Sequence, residues 1–214
     1  MRYLIVCGGK IDKEFGLNEI KTDGIDAIIA ADSGMDFLYE NGVTPDIIVG
    51  DFDSATTNAL EYFERKGQTE IRRLNPIKDD TDTEYAIRLA ISEGARSIVL
   101  LGATGSRIDH VLGNISLLGI GLESGTDICI IDTNNRIRMA DKPVTIEKSA
   151  QYGRFVSLIA LTDDNEVSLK GFKYPVTDYS FDRFTSLGIS NEIVDDQAVV
   201  DIHRGKFIII ESKD

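Results

Sequence analysis

The chain has 214 residues, 42% of them hydrophobic, with two cysteines and a formal net charge of −13. That field disfavours an extended polyanion or an anionic membrane surface as partner, and no apolar stretch approaches the roughly 20 residues that span a bilayer. The length allows one large core or two modest ones, and Met1-Arg2 leads directly into a strand pattern, so a cytoplasmic protein is expected.

Four short β-branched runs, at 3–7, 27–31, 47–50 and 97–101, lack helical spacing and read as strands buried on both faces. Between them, segments 35–41, 57–66, 82–94 and 108–124 carry helical spacing. In 82–94, Tyr85, Ile87, Leu89, Ala90 and Ile91 supply an apolar face, Thr81 or Asp82 can cap the start, and Gly94 stops the helix. Cys7 and Cys129 each sit inside an apolar run and read as small core residues of parallel strands. The alternation implies an α/β fold with a mostly parallel, helix-covered sheet, in which ligands bind beyond the carboxyl ends of the strands.

After Asp132 the texture changes. Segments 144–147, 155–161, 166–171, 193–202 and 206–211 are short, alternate in polarity and are punctuated by Gly, Pro and Asn, the pattern of a smaller antiparallel β domain. Thr133-Asn134-Asn135 is the natural joint, giving domains 1–133 and 134–214. His203, beside Arg204-Gly205-Lys206, reads as a solvated loop residue.

The loops after successive strands carry small residues and carboxylates at one end of the sheet. In Gly50-Asp51-Phe52-Asp53-Ser54, an extended backbone would point Asp51 and Asp53 the same way and Phe52 into the core. That spacing suits one hard cation on oxygen ligands, or else a helix cap near residue 56. Lys78-Asp79-Asp80-Thr81-Asp82-Thr83-Glu84 adds carboxylates at a helix start, where the dipole favours them. Joined with Asp51 and Asp53, they can form an acidic Mg²⁺ pocket open to phosphate oxygens. Gly102-Ala103-Thr104-Gly105-Ser106-Arg107 lacks the ending of a P-loop, but Arg107 can meet a phosphate bidentately, and Asp109 and His110 follow at a helix start. Residues 186–192 read as a small, polar loop between strands, which an ordinary hairpin also explains.

Taken together, these segments resemble the thiamine pyrophosphokinase family over nearly the whole chain. The residues that carry the resemblance are Ala31-Asp32-Ser33-Gly34, Pro45-Asp46 before Gly50-Asp51-Phe52-Asp53-Ser54, Lys78-Asp79-Asp80-Thr81-Asp82, Gly102-Ala103-Thr104-Gly105-Ser106-Arg107-Ile108-Asp109-His110 with Asn114, and Ser190-Asn191-Glu192. The resemblance implies an N-terminal α/β catalytic domain for ATP and Mg²⁺ and a C-terminal thiamine-binding β-sandwich. It also implies release of AMP and a homodimer whose active sites are shared between subunits.

By position, Asp51, Asp53 and Asp82 match the family's metal carboxylates. Asp32, Ser33, Lys78, Thr81, Thr104, Gly105, Arg107, Asp109, His110 and Asn114 fall in its nucleotide segments, and Ser190 and Asn191 in its thiamine-side loop. Asp79 and Asp53 are the candidates for accepting the hydroxyl proton. Animal and fungal members carry a tryptophan near that loop; this chain has no Trp, which leaves the group that stacks on thiamine open. Attack of the thiamine hydroxyl on the β-phosphorus of ATP develops charge on phosphate oxygens, which Mg²⁺ and Arg107 suit, and an acidic site attracts cationic thiamine. Another Mg²⁺-dependent nucleotide phosphotransferase and a non-catalytic nucleotide sensor are the competing readings.

Overall fold

A computed structural model describes residues 1–52, 57–75 and 80–214. The chain divides into two compact units, Met1–Thr133 and Asn134–Asp214. Asp53, Lys78 and Asp79 lie outside the described residues.

In the first unit the strands are β1 (Arg2–Val6), β2 (Ala27–Ala31), β3 (Ile47–Gly50), β4 (Glu70–Arg73), β5 (Ser97–Leu101) and β6 (Asp127–Ile131). They lie in the order β6-β5-β1-β2-β3-β4, every pair parallel. The helices are α1 (Lys13–Ile20), α2 (Gly34–Glu40), α3 (Thr57–Lys66), α4 (Asp82–Ser92) and α5 (Ile108–Ser124). Leu4, Val6, Ala30 and Ile48 of the sheet pack with Met35 and Phe63 of the helices, and the alternate residues Ile5, Ile29, Ile98 and Leu100 are buried too, so the strands read as continuous apolar runs because both faces are covered. The edge strand β4 is instead Glu-Ile-Arg-Arg, charged where its free edge would otherwise invite pairing.

Helix ends follow local chemistry. Asp12 caps α1 by accepting from the Phe15 N–H at 2.9 Å, and Thr81 caps α4 by accepting from the Glu84 N–H at 3.2 Å. Gly94, at φ +89°, turns the chain just beyond α4, and Gly125, at φ +72°, ends α5 in the left-handed conformation that glycine adopts without strain.

The second unit contains β7 (Asn135–Ala140), β8 (Val144–Glu147), β9 (Phe155–Ala160), β10 (Glu166–Lys170), β11 (Val176–Ser180), β12 (Asn191–Glu192), β13 (Gln197–Arg204) and β14 (Phe207–Ser212). They form antiparallel layers, β12-β9-β14-β7 and β11-β10-β13-β8. Val156, Leu158 and Phe207 of one layer share a core with Val167, Val200 and Ile202 of the other, which makes the unit a β-sandwich. Glu211 is fully buried on β14; it accepts from Arg136 at 2.8 and 2.7 Å, from Arg138 at 3.1 Å and from the Tyr152 N–H at 2.9 Å.

Two expectations need correction here. The 193–202 run is not one strand: the N–H groups of Val194 and Asp195 both donate to Gly171 O, which turns the chain, and β13 starts only at Gln197. His203 is not in a loop: it lies within β13, at a bulge where the pairing with β10 shifts between Val167↔Ile202 and Glu166↔Arg204. Its Nε2 lies 2.9 Å from Ser168 Oγ and 3.3 Å from Asp178 Oδ1. Among the described residues no helix is long and apolar enough to cross a membrane.

Candidate active site

Asp32, Asp51 and Asp82 come together beyond the carboxyl ends of β2 and β3, at the first turn of α4. Each offers a carboxylate oxygen, and the three lie within 4.8 Å of one another. All three side chains are partly exposed, so a ligand can reach them. Three hard oxygen donors around one point, with positions left for phosphate or water, match what Mg²⁺ prefers.

The approach of β2 to β3 is set by backbone. The Asp32 N–H donates to Val49 O at 2.8 Å, and a Cβ on Gly50 would stand 3.1 Å from Asp32 Cα. Asp32 itself has φ +49°, and Phe52 has φ +65°. The backbone at Phe52 is therefore not extended, and Asp53 itself lies outside the described residues. Among the described residues Asp51 meets Asp32, which follows the neighbouring strand. Left-handed conformations at non-glycine residues cost on the order of 1–3 kcal/mol and concentrate where a site fixes the chain. Phe52 still packs against the core, and Arg73, at the end of β4, places its guanidinium 5.3 Å from the Phe52 ring centroid.

The neighbouring loops close on the same end of the sheet. Gly34, which opens α2, has no room for a Cβ: it would lie 2.0 Å from Val6 O. Cys7 is buried, and burial pushes its thiol up to about 11, which makes it an inert core group. The loop after β5 is held by Asn114, whose Nδ2 donates to Ala103 O at 2.7 Å. Thr104 is partly exposed and Gly105 exposed there, as is His110 on the first turn of α5. Arg107 is the residue before α5, and its side chain turns back onto Asp109, with Nη2 to Oδ2 at 2.6 Å. That contact holds the Asp109 carboxyl down to about 2. Ser33 begins α2 without a side-chain cap bond, and the Thr81 hydroxyl is engaged in its cap.

In the second unit Ser190 has φ +61°, and its N–H donates to Ser157 Oγ at 3.0 Å. Asn191 is buried. Its Nδ2 donates to Tyr174 O at 3.0 Å, and its Oδ1 accepts from the N–H groups of Tyr174 and Glu192 at 3.1 and 2.9 Å. Glu192 pairs with Lys173 and Arg154, and these two cations hold its carboxyl below the usual range. Just before this stretch, Phe184 is 90% exposed, with Leu187 and Ile189 also largely in solvent.

One feature near the site escaped the sequence reading. Gly8-Gly9, straight after the buried β1, is a signal of close backbone approach. A Cβ on Gly9 would lie 2.3 Å from both Gly102 O and Thr104 O.

A parallel sheet with convergent carboxylates past its strand ends, followed in the chain by a β-sandwich, defines a class: an α/β enzyme with an acidic, oxygen-donor site. The family described as thiamin pyrophosphokinase, catalytic domain, matches residues 21–130, and that described as thiamin pyrophosphokinase, vitamin B1 binding domain, matches residues 143–207. The thiamine pyrophosphokinase of Bacillus subtilis is 34% identical over 188 residues, 87% of each chain. Crystal structures of thiamine pyrophosphokinases from B. subtilis and Geobacillus thermodenitrificans superpose with TM-scores of 0.89 and 0.87, at 32% and 29% identity. Both alignments cover all of this chain, with 100% and 98% of the respective relatives. The chain belongs to the thiamine pyrophosphokinase family and is an enzyme of that kind.

Proposed function

We propose that the protein transfers the pyrophosphoryl group of ATP to the hydroxyl of thiamine, giving thiamine diphosphate and AMP, with Mg²⁺ held by Asp32, Asp51 and Asp82. The observation that carries the reading is the convergence of these three carboxylates in a chain whose two parts match the family's catalytic and vitamin B1 binding domains. The donor set is all oxygen and partly exposed, which fits a hard cation with open positions. When bound, Mg²⁺ would draw charge from the phosphate oxygens as it develops.

The chain's own residues do the positioning. The strained turns at Asp32 and Phe52 fix the carboxylates before substrate arrives. The 102–105 loop, held by Asn114, offers a surface for the nucleotide, and Arg107 gives a planar fork for phosphate once it leaves Asp109. Thr104, Gly105, Asp109 and His110 belong to that nucleotide segment, Ser33 and Thr81 lie on the carboxylate side, and Lys78 is a further nucleotide-binding residue. The proton of the thiamine hydroxyl passes to a carboxylate, Asp79 or Asp53. Ser190 and Asn191 serve the thiamine side, and the acidic field of the site favours a cationic substrate.

Catalytic domain 1–133 and thiamine-binding domain 134–214 work in a cytoplasmic homodimer with active sites shared between subunits. The exposed apolar side chains of Phe184, Leu187 and Ile189 support a partner surface beside Ser190.

Incubation with ATP, Mg²⁺ and thiamine, with products separated, tests the reaction: AMP and thiamine diphosphate in equal amounts are expected. ADP with thiamine monophosphate, or nucleotide breakdown indifferent to thiamine, would overturn it. Mixing a variant altered at Asp51 with one altered at Ser190 tests the shared sites, because only shared sites let the heterodimer regain activity.

A further inference from the structure

The segment Cys7-Gly8-Gly9-Lys10 leaves β1 and touches both halves of the proposed site. A Cβ on Gly34, two residues after Asp32, would stand 2.0 Å from Val6 O and 3.1 Å from the carbonyl carbon of Cys7. A Cβ on Gly8 would stand 2.1 Å from the Oγ of Ser33, the neighbour of Asp32. On the other side, the Gly9 N–H donates to Gly102 O at 2.8 Å, and a Cβ on Gly105 would lie 3.7 Å from the Lys10 nitrogen. Beyond Lys10, Ile11 packs into the core and Asp12 caps α1. The backbone at Lys10 is thus fixed from both directions, while its side chain is exposed. Among the described residues its ammonium has neither a hydrogen bond nor an ion pair, whereas the guanidinium of Arg107 is held by Asp109.

A polyanion entering an acidic site in a chain of net charge −13 needs cations placed beforehand. We infer that Lys10 is a nucleotide-binding residue whose ammonium donates to phosphate oxygens of ATP, from a position between the carboxylate cluster and the 102–105 loop. The two glycines before it serve this placement, since any side chain at Gly9 would push the segment off the loop that it follows. A compact ammonium on a flexible stem suits a phosphate chain that changes shape during transfer. The inference rests on the proposed use of ATP.

The test is equilibrium binding of ATP with Mg²⁺, by calorimetry, to the full-length parent, Lys10→Met and Lys10→Arg, together with thiamine-dependent AMP release. Lys10→Met keeps the apolar stem and should weaken ATP binding about tenfold, while Lys10→Arg stays within about threefold of the parent. Melting temperatures and the KM for thiamine at saturating ATP should not move. Parental ATP affinity in Lys10→Met would overturn the inference, even if the parent makes AMP. An equal loss in both variants with a raised thiamine KM would overturn it too, because that pattern marks a disturbed loop. If ATP binding weakens in Lys10→Met but the parent makes no thiamine diphosphate, Lys10 stands and the proposed reaction falls. A parent that binds no ATP removes both.

Discussion

Arg107 and Asp109 form a two-point contact at the start of α5, with Nη2 to Oδ2 at 2.6 Å and Nε to Oδ1 at 3.2 Å, although both side chains are about two-thirds exposed. The pair holds the Asp109 carboxyl at about 2. A depressed folded value means that the pair's contribution is complete above about pH 4, the carboxylate's ordinary range, and is lost as pH falls through about 2. Exposure to solvent makes it small and open to salt. In carboxyl NMR at low ionic strength, Asp109 should show little titration between pH 5 and 3.5, and added salt should bring its midpoint upward. A midpoint near 3.9 at low salt would show that Arg107 is not held there.

The carboxylate cluster predicts a metal effect on stability. A ligand that binds only the folded state adds about 2.7 kcal/mol at a hundred times its dissociation constant, and a chain of this size gains about 2–4 °C per kcal/mol. Mg²⁺ should therefore raise the melting temperature of the parent by several degrees. Asp32→Asn, Asp51→Asn and Asp82→Asn should each abolish most of that rise and of the activity. An Asp32→Asn variant with the full rise would remove Asp32 from the site.

Much of the first unit was legible because its strands are apolar runs bounded by small residues. The expected limits of β2, β3 and β5, and of α3 and α5, coincide with those observed. The rest was hidden for identifiable reasons. The buried position of α1 is Gly16, which leaves no mark in a hydrophobic pattern. β4 and β11 are edge strands, one charged and the other mostly exposed. The candidate site was half legible. Its loops stood out by composition, but the partnership of Asp51 with Asp32 depends on left-handed turns and on the approach of Gly50 to Asp32, which neighbours in space impose and local sequence does not.

Two glycines should answer alanine in opposite directions. At Gly9 the added Cβ would meet the carbonyl oxygens of Gly102 and Thr104 at 2.3 Å, and backbone cannot step aside cheaply, so Gly9→Ala should cost about 1–3 kcal/mol. Gly113, inside α5, has nothing within 4 Å of its would-be Cβ, so Gly113→Ala should stabilise by about 0.5–1 kcal/mol through helix propensity. Denaturant midpoints measure both. Equal and small effects would mean that the loops after β1 and β5 are not in contact.

Asn191 and Ser190 are adjacent, yet their variants should fail for different reasons. The Asn191 amide is spent on Tyr174 and Glu192 backbone groups, so Asn191→Ala strands two partly buried N–H donors and one carbonyl and should cost about 1–3 kcal/mol. The melting temperature should fall accordingly, by about 2–4 °C per kcal/mol. Asn191→Asp should be no better at neutral pH, since a carboxylate oxygen then faces Tyr174 O. Ser190 sits at φ +61°, a conformation glycine adopts freely, so Ser190→Gly removes the hydroxyl while the backbone keeps its course. Its melting temperature should stay near the parent's, and a raised KM for thiamine would then report a lost substrate contact. The contrast separates clamp from contact: if Asn191→Ala melts like the parent and only the thiamine KM rises, the amide leaves Tyr174 to meet the substrate, and its structural role is wrong.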